Sequence, residues 1–404
     1  MKVLFITWDG PQTNYLEGLF IPIFVGLKSK GMDVEIIQFT WATDDRIEIT
    51  RNKCREHSIP YTVQRIIHKP KVLGALVSVL IGIFFARKYL QSHKVNVLLT
   101  RSILPSLISI WASRRMPNIN LVFDGDGLPY DERVDFSGLN PSGLVYRLMR
   151  DEESQITRVS KSVITRSAIS ADILHARAGA NTKRSKFYVA NNGRDTDQFT
   201  PMNLEHGRKV RFQLDWPEDC PMLVYAGSLG AQYCESQMIK FFKMVSEQNE
   251  NTRWLILSGD AKRSEALKNS CGTLSTNVVT MQVDSERIPY YLSAADLGMA
   301  LRKPSFSMKA VSPIKLGEYL LCGVPVIATG GIGDTESMLD ESIGFLADTE
   351  SSHSLLSAAK WFNHKVLPSR ATYRSACRER GLKYFSLDAT VETYEAAIQH
   401  ALTE

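Results

Sequence analysis

Residues 312–328 read SPIKLGEYLLCGVPVIA, and this stretch determines the fold class of the region around it. Its first residue, Ser312, can cap a helix and the proline after it suits a first helical position, so a helix is predicted over residues 313–322. A short apolar run then predicts a strand over residues 325–329. Another strand, predicted over residues 297–301, precedes the helix, and this strand–helix–strand order indicates a parallel sheet.

The same alternation of apolar runs and helical patterns continues outward over the whole chain. In the first half, strands are predicted over residues 2–7, 34–39, 61–66, 95–100, 120–123, 162–166 and 187–190. In the second half, further strands are predicted over residues 222–227, 253–258, 277–283 and 344–348. Residues 191–201 are rich in Asn, Asp and Gly and end in a proline, which marks a domain boundary. We therefore predict two Rossmann-like α/β domains with doubly wound parallel sheets, residues 1–200 and 201–387.

Size, charge and cysteine usage limit the class of protein. The chain has 404 residues, which fits two or three domains. The net charge is +5 and the basic residues are scattered, whereas a nucleic-acid binder concentrates them in one stripe. Six cysteines lie apart without zinc-ligand spacing, and the apolar start of the chain is too short for a signal peptide. The sequence therefore predicts a cytoplasmic protein without a metal site and without a nucleic-acid partner.

Residues 72–86 are nearly all apolar and are flanked by basic residues, namely Lys69, Lys71, Arg87 and Lys88. At 1.5 Å per residue this segment would form a helix about 22 Å long, shorter than a bilayer core of about 30 Å. A helix buried in the α/β domain fits this composition, and so does a helix lying on a membrane surface. A peripheral membrane contact through residues 72–86 is therefore one expectation, beside a buried helix and a true membrane span.

The helix predicted over residues 313–322 carries two charged residues of interest. Its first turn comprises Ser312, Pro313 and Ile314, and the free N–H groups there, which proline lacks, would point towards an anion. Lys315 would add a positive charge. Glu318 lies three residues further on, on roughly the same face, and could accept hydrogen bonds from both hydroxyls of a ribose. A solvated Lys–Glu surface pair is the alternative interpretation.

A Gly-x-x-Gly turn follows the strand predicted over residues 222–227, and it comprises Gly227, Ser228, Leu229 and Gly230. Two glycines let a backbone approach a phosphate closely, and the N–H groups of such a turn can bind anions. Because ligands of parallel sheets bind beyond the carboxyl ends of the strands, Gly259 and Val283 join the expected nucleotide-binding residues. A purely structural turn is the alternative.

These motifs resemble those of family 4 GT-B glycosyltransferases. Residues 312–328 are similar to the donor-binding helix of that family, whose form is Glu-(two or three residues)-Ala/Leu-Cys-Gly-x-Pro-Val-Ile. Residues 192–201 resemble its Pro-Asn-Gly-Val-Asp-x-x-x-Phe-x-Pro segment. Residues 225–229 and 295–298 resemble the first strand and loop of its second domain and its Ala-Asp strand start. The order and spacing of these motifs match over nearly the whole chain.

The resemblance implies a GT-B fold whose two domains face a central cleft. It implies that the first domain holds the acceptor, that residues 201–387 hold a nucleotide-diphosphate sugar, and that a last helix, residues 388–404, packs back on the first domain. It further implies hexosyl transfer with retention of configuration and without a metal ion. A UDP- or GDP-sugar is the expected donor, and no cofactor is expected. The Asp124-Gly125-Asp126 triplet spells a metal motif, but it lies in the first domain.

The second domain departs from the family pattern at its charged positions. The first glutamate of a paired-Glu motif would fall on Ala310, and an Arg and a Lys expected after the first strand would fall on Ser228 and Cys234. A diphosphate needs nearby cations. The expected substitutes, led by Lys315 and Arg302, are Arg302, Lys303, Lys309 and Lys315.

In the first domain, Asp124 stands where the family has a histidine. Its carboxylate could orient a sugar hydroxyl or stabilise an oxocarbenium-like transition state, and an Asx turn with Asp126 is the alternative. The expected acceptor side comprises Gly10, Arg101, Asp126 and Glu132. The expected catalytic residues are Asp124, Lys315 and Glu318.

The resulting hypothesis is a retaining, metal-independent glycosyltransferase that acts on a glycan or lipid-linked acceptor, in surface-polysaccharide assembly at the inner face of the plasma membrane. Two alternatives stay open. A non-catalytic GT-B partner subunit is compatible with the missing first glutamate and Arg/Lys pair. A sugar-nucleotide 2-epimerase is the other alternative, although no histidine follows a strand of the second domain.

Overall fold

The computed structural model describes residues 1–12, 14–67 and 69–403, with the side chain of Lys71 excepted. Glu404, the end of the predicted last helix, therefore lies outside the described residues, as does the Lys71 side chain among the predicted basic flanks. The chain forms two compact units, which we call unit 1 (residues 1–191 and 387–404) and unit 2 (residues 192–386). The segment predicted as a boundary, residues 191–201, thus belongs almost entirely to unit 2.

Unit 1 contains a seven-stranded sheet in the order β3-β2-β1-β4-β5-β6-β7, and all its pairings are parallel. The strands are Lys2–Asp9 (β1), Asp33–Thr40 (β2), Tyr61–Arg65 (β3), Val97–Arg101 (β4), Asn120–Gly125 (β5), Ser162–Thr165 (β6) and Phe187–Val189 (β7). The helices are Ile21–Ser29 (α1), Asp44–Glu56 (α2), Lys71–Ser92 (α3), Ile103–Ser113 (α4), Pro129–Ser137 (α5), Leu144–Val159 (α6) and Ala168–Ala178 (α7). A π-helical turn, Leu16–Phe20, precedes α1.

The central strand β1 shows how this sheet is covered on both faces. Because side chains alternate along a strand, Val3 and Phe5 pack on one face while Leu4 and Ile6 pack on the other. All four side chains are fully buried, as expected for a parallel strand between two helix layers.

Unit 2 contains a six-stranded parallel sheet in the order β10-β9-β8-β11-β12-β13. Its strands are Met222–Ala226 (β8), Arg253–Leu257 (β9), Val278–Met281 (β10), Leu297–Ala300 (β11), Val326–Thr329 (β12) and Gly344–Ala347 (β13). Its helices are Leu204–Gln213 (α8), Glu235–Gln248 (α9), Ala261–Asn269 (α10), Ile288–Leu292 (α11), Ile314–Leu321 (α12), Thr335–Met338 (α13), Ser352–Trp361 (α14) and Arg370–Phe385 (α15). The predicted pair of doubly wound parallel-sheet domains is confirmed.

The last helix, Leu387–Thr403 (α16), belongs to unit 1. Its apolar face joins the core on the side of α1, where Val391, Tyr394 and Ile398 are buried. The helix begins at Leu387, so Asp388 lies in its first turn and not at the predicted N-cap.

Two predicted helices differ from the structure. Pro313 occupies the N-cap of α12 in an extended conformation, so Ser312 stands one residue too early to cap the helix. The apolar helix α3 has 22 residues where fifteen were predicted, which makes it about 33 Å long. Arg87 and Lys88 end the apolar run without ending the helix, because both are good helix formers.

Candidate active site

The glycine turn after β8 has the backbone that its sequence predicts. Gly227 adopts a φ of +130° and Gly230 a φ of +151°, conformations that residues with a Cβ rarely take. A Cβ on Gly227 would lie 3.3 Å from Nζ of Lys315, so a side chain there would crowd the ammonium group. The glycine turn therefore places backbone without side chains next to Lys315, the cation expected first at the donor diphosphate.

Lys315 is enclosed by two tyrosines of unit 2. Its Nζ donates a hydrogen bond of 2.9 Å to the hydroxyl of Tyr225. The same nitrogen lies 4.0 Å from the ring centre of Tyr225 and 4.2 Å from that of Tyr233, which is cation–π geometry. The side chain of Lys315 is buried, with a relative exposure of 8%, so the solvated Lys–Glu surface pair is wrong.

Burial lowers the pKa of Lys315 well below its usual 10.5, and the nearby charge of Arg302 lowers it further, against the opposing effect of Glu318. The desolvated ammonium group costs free energy in the ligand-free protein. A diphosphate next to Nζ would favour the charged form and raise this pKa again. Binding of an anion and protonation of Lys315 are therefore coupled.

Arg302 follows β11 and lies beside the same tyrosine. Its Nη2 donates to Oε1 of Gln232 at 2.8 Å, and its guanidinium carbon lies 5.1 Å from the ring centre of Tyr233. Its Nε is buried without a hydrogen-bond partner among the described residues. Buried donors are nearly always paired, so this nitrogen marks a place for an incoming acceptor atom.

Glu318 forms an ion pair with a residue that the sequence analysis did not select. Nε of Arg194 donates to Oε1 of Glu318 at 2.9 Å, and the two side chains are largely buried, with relative exposures of 14% and 12%. The backbone N–H of Arg194 is held by the carbonyl of Phe385 at 2.9 Å. The signal was present in the sequence, because Arg194 replaces the valine of the family's Asn-Gly-Val-Asp motif.

The other predicted nucleotide-binding residues lie around this centre. Ser228 accepts a hydrogen bond from the hydroxyl of Tyr225, and Leu229 packs on the core beneath the turn. The carbonyl of Ser312 accepts from Nδ2 of Asn192 at 2.7 Å. Gly259 and Val283 follow β9 and β10, the next two strands of the sheet. Lys315 thus lies against the glycine turn and shares the ring of Tyr233 with Arg302.

The structure does not support the catalytic role predicted for Asp124. This residue ends β5 with no exposed surface, and both its carboxylate oxygens accept hydrogen bonds from Nη2 of Arg166, at 2.7 and 2.8 Å. The hydroxyl of Tyr394, on α16, also donates to it. Because these partners enclose the carboxylate, neither a sugar contact nor the alternative Asx turn describes it.

Arg101 is likewise occupied within unit 1. Its guanidinium pairs with Asp9 at 3.2 Å and with Asp126, and it lies over the rings of Tyr15 and Phe20 at 4.7 and 4.8 Å. Arg101, which was predicted on the acceptor side, is thus buried and paired with carboxylates of unit 1.

Together these residues form a buried charge cluster, which we define as Asp9, Arg101, Asp124, Asp126 and Arg166. Three carboxylates face two guanidinium groups, so the cluster has a formal charge of −1. The Asp126 side chain is 35% exposed and is the most open of the five. Asp9 and Arg166 were missed in the sequence, although each stands at or just after the end of a strand, as the predicted members do.

The remaining two acceptor-side residues have local surroundings of their own. A Cβ on Gly10 would lie 2.7 Å from the ring of Trp41, so the space gained by this glycine is filled by that indole and not left open for a substrate. Glu132 lies in the first turn of α5 and is half-buried.

The sequence and the fold of this chain resemble those of known glycosyltransferases. Residues 207–380 match the family described as glycosyl transferases group 1. These residues, which include the glycine turn, Arg302 and α12, thus carry a group 1 glycosyltransferase domain, and the two sheets together form a GT-B fold.

Three individual proteins show how far the likeness extends. HepE of Anabaena, solved in complex with UDP, is 16% identical and superposes with a TM-score of 0.73 over 99% of this chain and 100% of its own. A glycosyltransferase from Rickettsia africae is 16% identical, with a TM-score of 0.76 over 100% of this chain and 99% of its own. The putative teichuronic acid biosynthesis glycosyltransferase TuaH of Bacillus subtilis is 31% identical over 91 residues, 22% of this chain. That match spans less than a quarter of TuaH itself, 23%.

Proposed function

We propose that this protein is a glycosyltransferase of the retaining, metal-independent family 4 type, which moves a hexosyl group from a nucleotide-diphosphate sugar to an acceptor. The observation that carries this proposal is Lys315, an ammonium group buried against a bare glycine turn in a group 1 glycosyltransferase domain. A buried cation with a depressed pKa and an open backbone next to it is an arrangement suited to a diphosphate.

In this proposal unit 2 assists departure of the nucleoside diphosphate. Lys315 and the N–H groups of Ser228 and Leu229 stabilise the negative charge that develops on the leaving group. The N–H groups of Gly227 and Gly230 are already bonded, to the carbonyl of Leu257 at 2.9 Å and to Oε1 of Glu235 at 2.8 Å. Arg302 offers its unpaired Nε to the same anion. Because the proposed transfer retains configuration and none of these groups bonds to the sugar, the acceptor oxygen bonds to the anomeric carbon on the face from which the diphosphate leaves. The hydroxyl proton passes to the departing phosphate oxygen as the old bond to that oxygen breaks.

Unit 1 supplies the acceptor side. Its buried charge cluster has a formal charge of −1 and would repel a diphosphate, but a carboxylate readily accepts hydrogen bonds from sugar hydroxyls. Asp126 is its most exposed member and is the acceptor-side residue we favour. The acceptor we propose is a glycan or lipid-linked glycan of surface-polysaccharide assembly, a setting supported by the name of TuaH.

The location we propose is the cytoplasm, at the inner face of the plasma membrane, and one observation agrees with it. All six cysteines are free and buried. Nucleotide sugars and a lipid-linked acceptor would meet at that surface.

The direct test is a thermal-shift screen of the full chain with UDP, GDP, ADP and their glucose conjugates. UDP and UDP-glucose are first choices, because HepE was solved with both. A ligand at a hundred times its dissociation constant adds about 2.7 kcal/mol of stability. Stabilisation by one nucleoside diphosphate and transfer or hydrolysis of its sugar would support the proposal, whereas no response to any nucleotide would refute it.

The ribose contact gives a sharper prediction. Glu318→Gln is expected to weaken binding of the ribonucleoside diphosphate by about 10- to 100-fold, because hydrogen bonds to a charged group contribute about 1.5–3 kcal/mol each. Calorimetric titration of the 2′,3′-dideoxy nucleotide should show no such loss. Glu247→Gln, on the exposed surface of α9, is the control. Equal losses for both nucleotides would contradict a ribose contact.

A non-catalytic partner subunit remains a second candidate, because one specific observation favours it. Ala310, at the position of the first paired glutamate, is fully buried, so no side chain can reach a sugar from there. Nucleotide binding without any turnover, with every acceptor and with water, would favour this second function.

A further inference from the structure

Helix α3 has an apolar face that unit 1 leaves uncovered. Six large apolar side chains on it are exposed, namely Val72, Leu73, Leu76, Leu80, Ile81 and Phe84, with relative exposures from 45% to 71%. Four of them recur every fourth residue, so they form a stripe along one side of the helix. A core helix would hide such a stripe, and an ordinary surface helix would replace it with polar residues.

Three residues of the stripe, Leu76, Leu80 and Phe84, line an open groove of about 750 Å³ between α3 and α4. Its floor and walls are apolar, with Val79, Ile83 and Leu107 among the lining residues. Trp111 is 43% exposed at one end of the groove. A groove of this size and chemistry accommodates a hydrocarbon chain.

The charged side chains that line the groove are all basic. Arg87, Arg114 and Arg115 line the groove together with Trp111, and the guanidinium of Arg114 is 4.9 Å from the indole centre. The sequence from residue 57 to residue 123 holds no acidic residue and nine basic ones, of which Arg101 is buried in the charge cluster and Arg65 pairs with Asp44. Arginine next to tryptophan is the pairing that membrane interfaces favour, and an uninterrupted basic segment attracts anionic lipids.

The packing of α3 distinguishes surface docking from a membrane span. Among the described residues, Val72–Ser92 is the one helix whose length and mean hydropathy of 1.7 suit a span. However, Arg87 donates hydrogen bonds to the carbonyls of Trp111 and Ala112, which ties α3 to α4. Residues on the inner side of α3, such as Val79 and Ala86, are buried in the core of unit 1. Crossing a bilayer would remove these residues from their core.

We propose that unit 1 docks on an anionic phospholipid bilayer through α3, which lies along the surface with its exposed stripe in the acyl layer. The groove between α3 and α4 takes hydrocarbon, and Arg114 and Arg115 contact lipid phosphates. Docking on a bilayer would bring unit 1 close to the lipid-linked acceptor proposed above. Only this purpose of the docking rests on the proposed function. Docking itself needs neither donor nor acceptor.

Vesicle flotation of the full chain tests the surface. Binding is expected to vesicles of phosphatidylcholine and phosphatidylglycerol in equal parts, and to be far weaker for phosphatidylcholine alone. Leu76→Glu with Phe84→Glu should weaken binding by roughly 100-fold or more. Arg114→Gln with Arg115→Gln should weaken it by about 30-fold, and added salt should do the same.

Phe212→Glu is the matched control, because Phe212 is an exposed aromatic residue of unit 2, at 82%. Unchanged melting of each variant shows that it folds, and nucleotide binding measured in parallel separates failure of this surface from failure of the donor site. Equal binding to neutral vesicles, or no binding to either kind, would overturn the proposal. So would protein that alkaline carbonate cannot extract, which indicates a span, or a dimer in solution that Phe84→Glu dissociates.

Discussion

Lys315→Met is expected to lower the affinity for the nucleoside diphosphate by about 100-fold, since losing a charge-assisted contact costs about 3 kcal/mol. The same variant should melt at a higher temperature than the wild type when no ligand is present. Methionine has a similar length and fills the space between Tyr225 and Tyr233 without the cost of desolvating an ammonium group. We expect a gain of about 1 kcal/mol, or about 2–4 °C.

The pH dependence of this variant follows from the lowered pKa of Lys315. The pKa of Lys315 is lower in the folded protein than in the unfolded chain, so the unfolded chain binds the proton more tightly. The resulting loss of folding free energy is complete at pH values below the folded pKa. The advantage of Lys315→Met should therefore be largest at low pH, decline above the folded pKa and vanish as pH approaches 10.5, the unfolded value. For the wild type, nucleotide binding should take up protons and weaken as pH rises.

Calorimetry in two buffers of different ionisation enthalpy measures that proton uptake directly. Lys262→Met, at an exposed position of α10, is the control and should change neither melting nor binding. If Lys315→Met kept the wild-type affinity for the nucleotide, Lys315 would not be a ligand of the diphosphate. If the variant melted at a lower temperature, the buried ammonium group would not reduce the stability of the free protein.

The second large effect is expected in the buried charge cluster of unit 1. Arg166→Met should destabilise unit 1 by about 3–5 kcal/mol, because it leaves the wholly buried carboxylate of Asp124 without its counter-charge. Burial alone would lower the pKa of Arg166, yet Asp124 and Tyr394 outweigh it and raise that pKa above its usual value. The guanidinium is therefore charged at every pH at which the protein is folded.

Thermal unfolding of a double-mutant cycle measures this pair. Combining Arg166→Met with Asp124→Leu removes both charges, so the double variant should recover much of the loss. Tyr394→Phe deletes one hydrogen bond to the charged carboxylate and should cost about 1.5–3 kcal/mol, less than loss of the counter-charge. Losses that simply add in the double variant would show that the two charges do not depend on each other.

The sequence predicted the sheets well because parallel strands are buried on both faces and therefore appear as continuous apolar runs. It predicted Lys315 for the donor site, but not the enclosure around it. Tyr225 and Tyr233 lie ninety and eighty-two residues earlier in the chain, and nothing in the local pattern at α12 indicates which rings will cover the ammonium group.

For Asp124 the sequence predicted a catalytic role that the structure does not support, again because the contacts that decide it are distant in sequence. A carboxylate at the end of a strand looks available when only its neighbours in sequence are considered. Its partners, Arg166 and Tyr394, are 42 and 270 residues away, and only the folded sheet and α16 bring them together. The apolar run in α3 ends before the helix does, so hydropathy alone predicts a shorter helix than helix propensity supports.

The position of α16 has a consequence for synthesis of the chain. Unit 2 is continuous in sequence, whereas the core of unit 1 includes Val391, Tyr394 and Ile398, which leave the ribosome after all of unit 2. During translation the N-terminal domain usually completes its folding first. Here unit 2 can complete its folding before unit 1. The nascent first unit must wait, with Asp124 lacking its Tyr394 partner and with part of one sheet face bare, until the last helix emerges to close it.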